Sequence, residues 1–290
     1  MANILLLGCG NLGRKLALRL MAEQHTVTAV KRRPLTPAVI GLQVLLADIT
    51  DASMVKIIPT DIDVVVCTLA PSARNAEAYQ AIYQCGLANV IAHFSKSTSS
   101  RQPRWLMLSS TSVYGQNKGQ WVDENSPAQA DSFNGRALIQ AEQHLWEHCN
   151  KATVLRCSGI YGRGRESFLR SVRAGSPVQY APPYYSNRIH EEDCLGILHF
   201  LIDRSLAGKP LENLYLASDS AAVPLAEVAQ WLSEKMACPA PPAKPKNAVI
   251  QGMNKRCRND RLLQLGYVLR YSTYQQGYGA LLEEGWPDPV

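Results

Sequence analysis

The chain has 290 residues, 46% of them hydrophobic and 19% charged. That composition suits a globular protein with a sizeable core and excludes a disordered or fibrous one. The formal charge of +6 is mild, and its cations are scattered, so no nucleic-acid partner is required and an anionic small molecule suits it as well. No apolar run approaches the roughly 20 residues needed to span a bilayer. The N-terminus begins with a strand pattern, with no basic segment and apolar stretch of a signal peptide. The eight cysteines include no CxxC pair and several fall in apolar segments, as Cys67 and Cys157 do. The expectation is a cytoplasmic protein with reduced core thiols.

In chain order, Asn3–Leu7 reads as a buried strand. Gly8-Cys9-Gly10-Asn11-Leu12-Gly13 follows at once, and then a helical pattern with Leu12, Leu16 and Leu20 on one face. Strand, glycine turn and helix together are what a dinucleotide fingerprint requires. Gly8 permits the tight turn, Gly10 lets a pyrophosphate approach, and Gly13 lets the helix lie close to the strand. The free amides and positive end of the helix then face the phosphates.

Thr26–Val30 is the second strand. An NAD-preferring site usually places an acid at its end, to take the ribose hydroxyls. Here Lys31, Arg32, Arg33 and Pro34 stand there, and the cations favour a 2′-phosphate, Arg by a bidentate fork. The reading is NADP, with NAD kept open, and a solvated basic turn is the alternative.

Gln43–Leu46, Asp61–Cys67, Trp105–Leu108 and Ala152–Cys157 read as further strands. Ala76 to about Ser95 and Asn134–His148 read as helices, and Arg188–Asp193 opens another that runs through Leu201. Apolar strands alternating with helices predict a Rossmann-type doubly wound parallel sheet covered on both faces. Residues 1–162, with 188–217 contributing, form the expected dinucleotide-binding domain. Residues 163–187 and 218–290 form a smaller, discontinuous C-terminal α/β part for a substrate or partner. The Pro- and Ala-rich run from Cys238 to Lys246 is expected to lack regular structure.

The chain resembles an atypical extended short-chain dehydrogenase/reductase of the NAD(P)-dependent epimerase/dehydratase family. The resemblance rests on the glycine motif, Ala47-Asp48-Ile49, Ser109–Gly115, Leu155–Gly162, Arg188–Asp193 and Asn213–Ala217, and so covers nearly the whole chain. It implies that Asp48 and Ile49 hold the adenine, that Leu69-Ala70-Pro71 run beneath the cofactor, and that Tyr161 lies beside the nicotinamide. It implies that Ser110 or Thr111 orients a substrate carbonyl. It also implies a homodimer, paired through the helices at 76–95 and 134–148.

One departure is sharp. The family's acid/base Tyr, and the Lys four residues later that lowers its pKa, normally open the helix after the fifth strand. With Glu142 aligned to the Glu that commonly follows, those positions are Asn134 and Leu138. Tyr114 and Lys118 have YxxxK spacing, but glycines flank them, and outside a helix that spacing does not put both side chains on one face. A catalytic proton would come from Tyr114 or from water. Arg136, third in its helix, is a candidate cation for a nicotinamide ribose or a substrate anion. Arg163 and Arg165, in a glycine loop, are candidates for a substrate phosphate or carboxylate.

His144 and His148 have a metal-binding spacing, but no third ligand is suggested, so no metal is expected. Lys255, Arg256 and Arg258 form a second basic cluster, read as a solvated turn. Two functions remain open. One is an NADP-dependent oxidoreductase or epimerase acting on a small anionic carbonyl or sugar-nucleotide substrate. The other is a non-catalytic NADP-binding redox sensor or regulator.

Overall fold

The structure is a computed structural model, and it describes residues 1–97, 102–250 and 252–286. In chain order the main elements begin with β1 (Asn3–Leu7), α1 (Asn11–Ala22), β2 (Thr26–Lys31), β3 (Gln43–Leu46) and β4 (Val64–Cys67). Then come α2 (Ala76–Gln80), a π-helical turn at Ala81–Gly86, α3 (Leu87–Ser95) and β5 (Arg104–Ser110). The middle of the chain holds β6 (Gln120–Val122), α4 (Phe133–His148), β7 (Ala152–Cys157), β8 (Gly159–Tyr161), α5 (Ser167–Arg173), β9 (Tyr185–Ser186) and β10 (Arg188–His190). It continues with α6 (Glu191–Leu206), β11 (Leu214–Ala217), β12 (Val223–Pro224), α7 (Leu225–Lys235), β13 (Lys255–Cys257), α8 (Asp260–Gln264) and α9 (Tyr274–Glu283).

Seven strands form one sheet in the order β11-β7-β5-β4-β1-β2-β3. The ladders joining β3, β2, β1, β4 and β5 are all parallel. The strand order reverses beside β1, between β2 and β4, which is where a doubly wound sheet opens its ligand crevice. Ile4 to Leu7 of β1 and Val64 to Val66 of β4 have no exposed surface. Such continuous apolar strands fit a parallel sheet covered on both faces. The fold is the doubly wound α/β fold read from the sequence.

The helix expected at 76–95 is interrupted by the π turn. A Cβ on Gly86 would lie 2.8 Å from Ile49 Cγ1, so the turn passes close over the loop after β3. The segment Arg188–His190, expected to open a helix, is strand β10, and the helix begins at Glu191. All eight cysteines are free thiols.

The chain divides into two compact units. Unit 1 holds Met1–Val113, Gln129–Arg156 and Leu195–Tyr215. Unit 2 holds Tyr114–Ala128, Cys157–Cys194 and Leu216–Val290. Residues 157–162, 188–194 and 216–217, read from the sequence as part of the dinucleotide-binding domain, fall in unit 2, and so does Tyr114–Ala128. There β6 pairs in parallel with β13, Gln120 opposite Lys255. Three-residue strands paired over such a distance leave no periodic signal in a sequence. The core of unit 2 gathers Leu169 and Val172 of α5, Val228 and Leu232 of α7, and Tyr278 of α9 around Tyr161.

Candidate dinucleotide site

The three glycines of the first turn differ in what surrounds them. Gly8 has φ +85°, and a Cβ there would lie 2.8 Å from the Thr68 carbonyl oxygen. A Cβ on Gly13 would lie 2.7 Å from the Gly8 carbonyl oxygen. A Cβ on Gly10 would meet nothing within 4 Å. Two glycines are therefore required by packing, whereas Gly10 keeps open the space above the backbone. Gly10 is also the N-cap of α1 and gives it no side-chain cap, so the helix start has amides to offer an anion.

A cleft of about 200 Å³ opens above this turn, entirely within unit 1. Gly8, Cys9 and Gly10 line it, with Lys31 at the end of β2 and Arg32 next to it, Asp48 and Ile49 after β3, and Leu69 and Ala70 after β4. These are the carboxyl ends of adjacent parallel strands, so residues far apart in the chain converge because the sheet puts β1, β2 and β4 side by side. Arg33, Pro71, Asn11, Leu12 and Gly13 are not among its lining residues. Asn11 and Arg33 are exposed, and Leu12 and Gly13 are turned into the packing of α1. Asp48 uses Oδ1 to cap its own turn, accepting from Thr50 N at 3.0 Å and Thr50 Oγ1 at 2.8 Å.

Sequence reasoning missed the residues that brace the cleft. Thr68 lines it and donates from Oγ1 to the Gly8 carbonyl at 2.6 Å. Tyr83, on the π turn, donates to the Leu69 carbonyl at 3.0 Å, and its neighbour Ile82 is a lining residue. Burial drives the Tyr83 phenol well above its ordinary pKa, so it stays a neutral donor. Asn89 Nδ2 donates to the carbonyl oxygens of Ile49 and Thr50. Thr68 was legible in principle, since it directly follows β4, the strand paired with β1. The π turn left no sequence signal.

The residues named for chemistry fare differently. Ser110 Oγ accepts from Ser112 N at 3.1 Å, and Thr111 begins the buried turn Thr111–Val113. A Cβ on Gly135 of α4 would lie 2.5 Å from the Ser112 carbonyl oxygen, so this helix starts hard against that turn. On α4, Leu138 is buried in the core and Asn134 is half-buried, so no phenol–ammonium pair stands there. Ser109 Oγ donates to Glu142 Oε1, and Glu142 also takes the Arg156 guanidinium. Arg136 is exposed and gives Nη1 to the Asp131 carbonyl.

The two tyrosines named from the sequence, Tyr114 and Tyr161, both lie in unit 2. Tyr114 is 1% exposed and donates its hydroxyl to the Asp123 carbonyl at 2.8 Å, so its phenol is spent on a neighbouring loop. Residues 114–118 form no helix, and Lys118 is exposed. Tyr161 is packed in the core of unit 2, its ring 4.3 Å from that of Tyr278. Gly277 makes room for it, because a Cβ there would lie 1.9 Å from the Tyr161 hydroxyl. Burial raises the Tyr161 pKa, and the nearby Asp219 raises it further. Arg163 and Arg165 are exposed on their loop. Arg163 borders a hollow of about 20 Å³, with Glu166 and Trp286.

A doubly wound sheet with a glycine turn, an uncapped helix start and a cleft at the switch point defines the class of Rossmann-type dinucleotide-binding proteins. Residues 4–197 match the model of the NAD dependent epimerase/dehydratase family. The chain belongs to that family, which includes epimerases and dehydratases. A comparison with curated proteins found no match. Among solved structures, the chain is similar to a provisionally assigned NAD-dependent epimerase/dehydratase from Methylobacillus flagellatus, with 32% identity, 99% of each chain covered and a TM-score of 0.82. It shares its fold with human epimerase family protein SDR39U1, solved with NADPH, at 18% identity, 97% of this chain and 99% of that one, and a TM-score of 0.75. It shares it also with Bordetella bronchiseptica WbmG, solved with NAD, at 18% identity, 98% and 94% coverage, and a TM-score of 0.76. Among the described residues no helix is long and apolar enough to cross a membrane.

Proposed function

We propose that this protein binds NADP and serves hydride exchange with a small anionic carbonyl or sugar-nucleotide substrate, in the cytoplasm. The observation that carries the reading is the cleft itself. It joins an open glycine, two cations at the end of β2 and Asp48 after β3. When bound, the nicotinamide would supply the hydride. The amides at the start of α1 and the open Gly10 suit the pyrophosphate. Lys31 and Arg32 suit a ribose 2′-phosphate, and Asp48 with Ile49 suits the adenine. The NADPH of the human relative agrees with this preference, whereas WbmG holds NAD. Ser110 or Thr111 would orient the carbonyl. With Tyr114 engaged at Asp123, the proton is assigned to water.

A second reading is favoured by Asn134 and Leu138 on α4. A chain that keeps its phosphate turn without a proton relay could bind the dinucleotide as a sensor, with no turnover. Calorimetric titration with NADPH and, separately, NADH tests the shared part. Tight NADPH and weak NADH binding is expected, and failure of both to bind overturns both readings. Loss of nicotinamide absorbance across a panel of anionic carbonyl compounds then supports the enzyme, and its absence across the panel supports the sensor.

A further inference from the structure

We propose a surface site for a divalent transition metal, zinc above all, formed by Glu23, His25, His199 and Asp203. All four belong to unit 1. Glu23 caps the end of α1, and His25 immediately precedes β2. His199 and Asp203 stand one turn apart on α6. The turn between Glu23 and His25 passes through Gln24 at φ +64°, the backbone conformation that lets the chain reverse so tightly.

Both imidazoles approach one carboxylate oxygen. Glu23 Oε2 lies 2.9 Å from His199 Nε2 and 3.9 Å from His25 Nε2. Asp203 Oδ2 lies 3.8 Å from His199 Nε2. Ligand atoms of Glu23, His25 and Asp203 all lie within 4.8 Å of one another. Tetrahedral zinc with ligand bonds of about 2.0–2.1 Å needs donors roughly 3.3–3.4 Å apart, and the Glu23–His199, His199–Asp203 and Glu23–His25 separations of 2.9, 3.8 and 3.9 Å straddle that value. Two imidazoles with two carboxylates suit zinc, nickel or copper better than magnesium or calcium, which prefer oxygen alone. The imidazoles are partly sheltered, His25 at 12% and His199 at 22% side-chain exposure, whereas the carboxylates are open enough to adjust. A metal here would tie the turn between α1 and β2 to α6.

A second cluster, His144, Glu147 and His148, offers three ligands from the single helix α4 and serves as the control. There His148 Nδ1 already meets the His144 carbonyl at 2.9 Å.

The test titrates chelator-treated protein with Zn²⁺ alone, followed by calorimetry and thermal unfolding. One equivalent of zinc is expected, with a rise in Tm of about 5 °C at a hundredfold excess over Kd. The same result is expected for His144→Gln/His148→Gln. His25→Gln/His199→Gln should lose at least tenfold in affinity, along with the shift in Tm. Asp203→Asn, on the exposed face of α6, should weaken binding as well, and it provides a second arm if the double variant does not fold. The proposal is overturned if zinc gives neither heat nor a shift in Tm in the parent protein. It is equally overturned if the response survives in the His25/His199 variant, or in Asp203→Asn when that double variant is unfolded, or if it vanishes in the His144/His148 variant.

Discussion

The Glu142 carboxylate and the Arg156 guanidinium are joined in a buried pair, Nη2 to Oε2 at 2.6 Å, with side-chain exposures of 1% and 5%. The Arg156 Nε also reaches both carboxylate oxygens, and Ser109 Oγ donates to Oε1. Removing one partner leaves the other charge buried alone, which typically costs about 3–5 kcal/mol. Glu142→Ala should therefore lower the unfolding free energy by about that amount in urea. Glu142→Leu/Arg156→Met should cost less than the two single changes summed. A loss below about 1 kcal/mol in Glu142→Ala would show that the pair has relaxed into solvent.

Gly10 and Gly13 separate ligand contact from packing. Gly13→Ala pushes a methyl against the Gly8 carbonyl and Thr68 Oγ1, so it should cost roughly 1–3 kcal/mol of stability. Gly10→Ala meets nothing and should stay within roughly 0.5 kcal/mol of the parent. The same Gly10→Ala should weaken NADPH binding at least tenfold, about 1.4 kcal/mol. Unchanged NADPH affinity would mean that the dinucleotide does not pass over this turn.

The cations after β2 should act unequally. Arg32 lines the cleft and Arg33 does not. Arg32→Ala should weaken NADPH by roughly 10–100-fold, the range of a charge-assisted hydrogen bond, and leave NADH nearly unchanged. Arg33→Ala should have the smaller effect. If NADPH affinity is untouched in both, the phosphate clamp is wrong.

Asp219 predicts a pH dependence. It is 1% exposed, and burial pushes its carboxyl up to about 7, against the smaller opposing pull of Arg188. The folded state therefore holds its proton more tightly than the unfolded chain, whose aspartate titrates near 3.8. Stability from this group is present below that value and is lost as pH rises through about 7. Asp219→Asn removes the dependence, so its Tm relative to the parent should climb between pH 4 and pH 8. Parallel Tm curves for the two proteins across that range would refute it.

Much of unit 1 was legible because its signals are local. The strands at Gln43–Leu46, half-exposed at the sheet edge, and Ala152–Cys157, buried throughout, fall where the sequence placed them, since each is a short run rich in apolar residues. The same logic singled out Asp48, Ile49, Leu69 and Ala70, each of which lies just past the end of a strand and lines the cleft. The π turn escaped because Ala81–Gly86 is as helical in pattern as its flanks. At its end Gly86 passes close over Ile49, which lies far away in the chain.

By itself, the sequence determined the order strand, glycine turn, helix, and with it the doubly wound class. Those features depend on hydrophobic period and on backbone conformations available within a few residues. Only the tertiary structure decided which side chains converge. It buried Tyr114 against Asp123 and Tyr161 against Tyr278, brought Arg156 onto Glu142, and gathered Glu23, His25, His199 and Asp203. Each of these meetings is set by sheet order and close packing between distant segments, and such contacts leave no mark in the spacing of neighbouring residues.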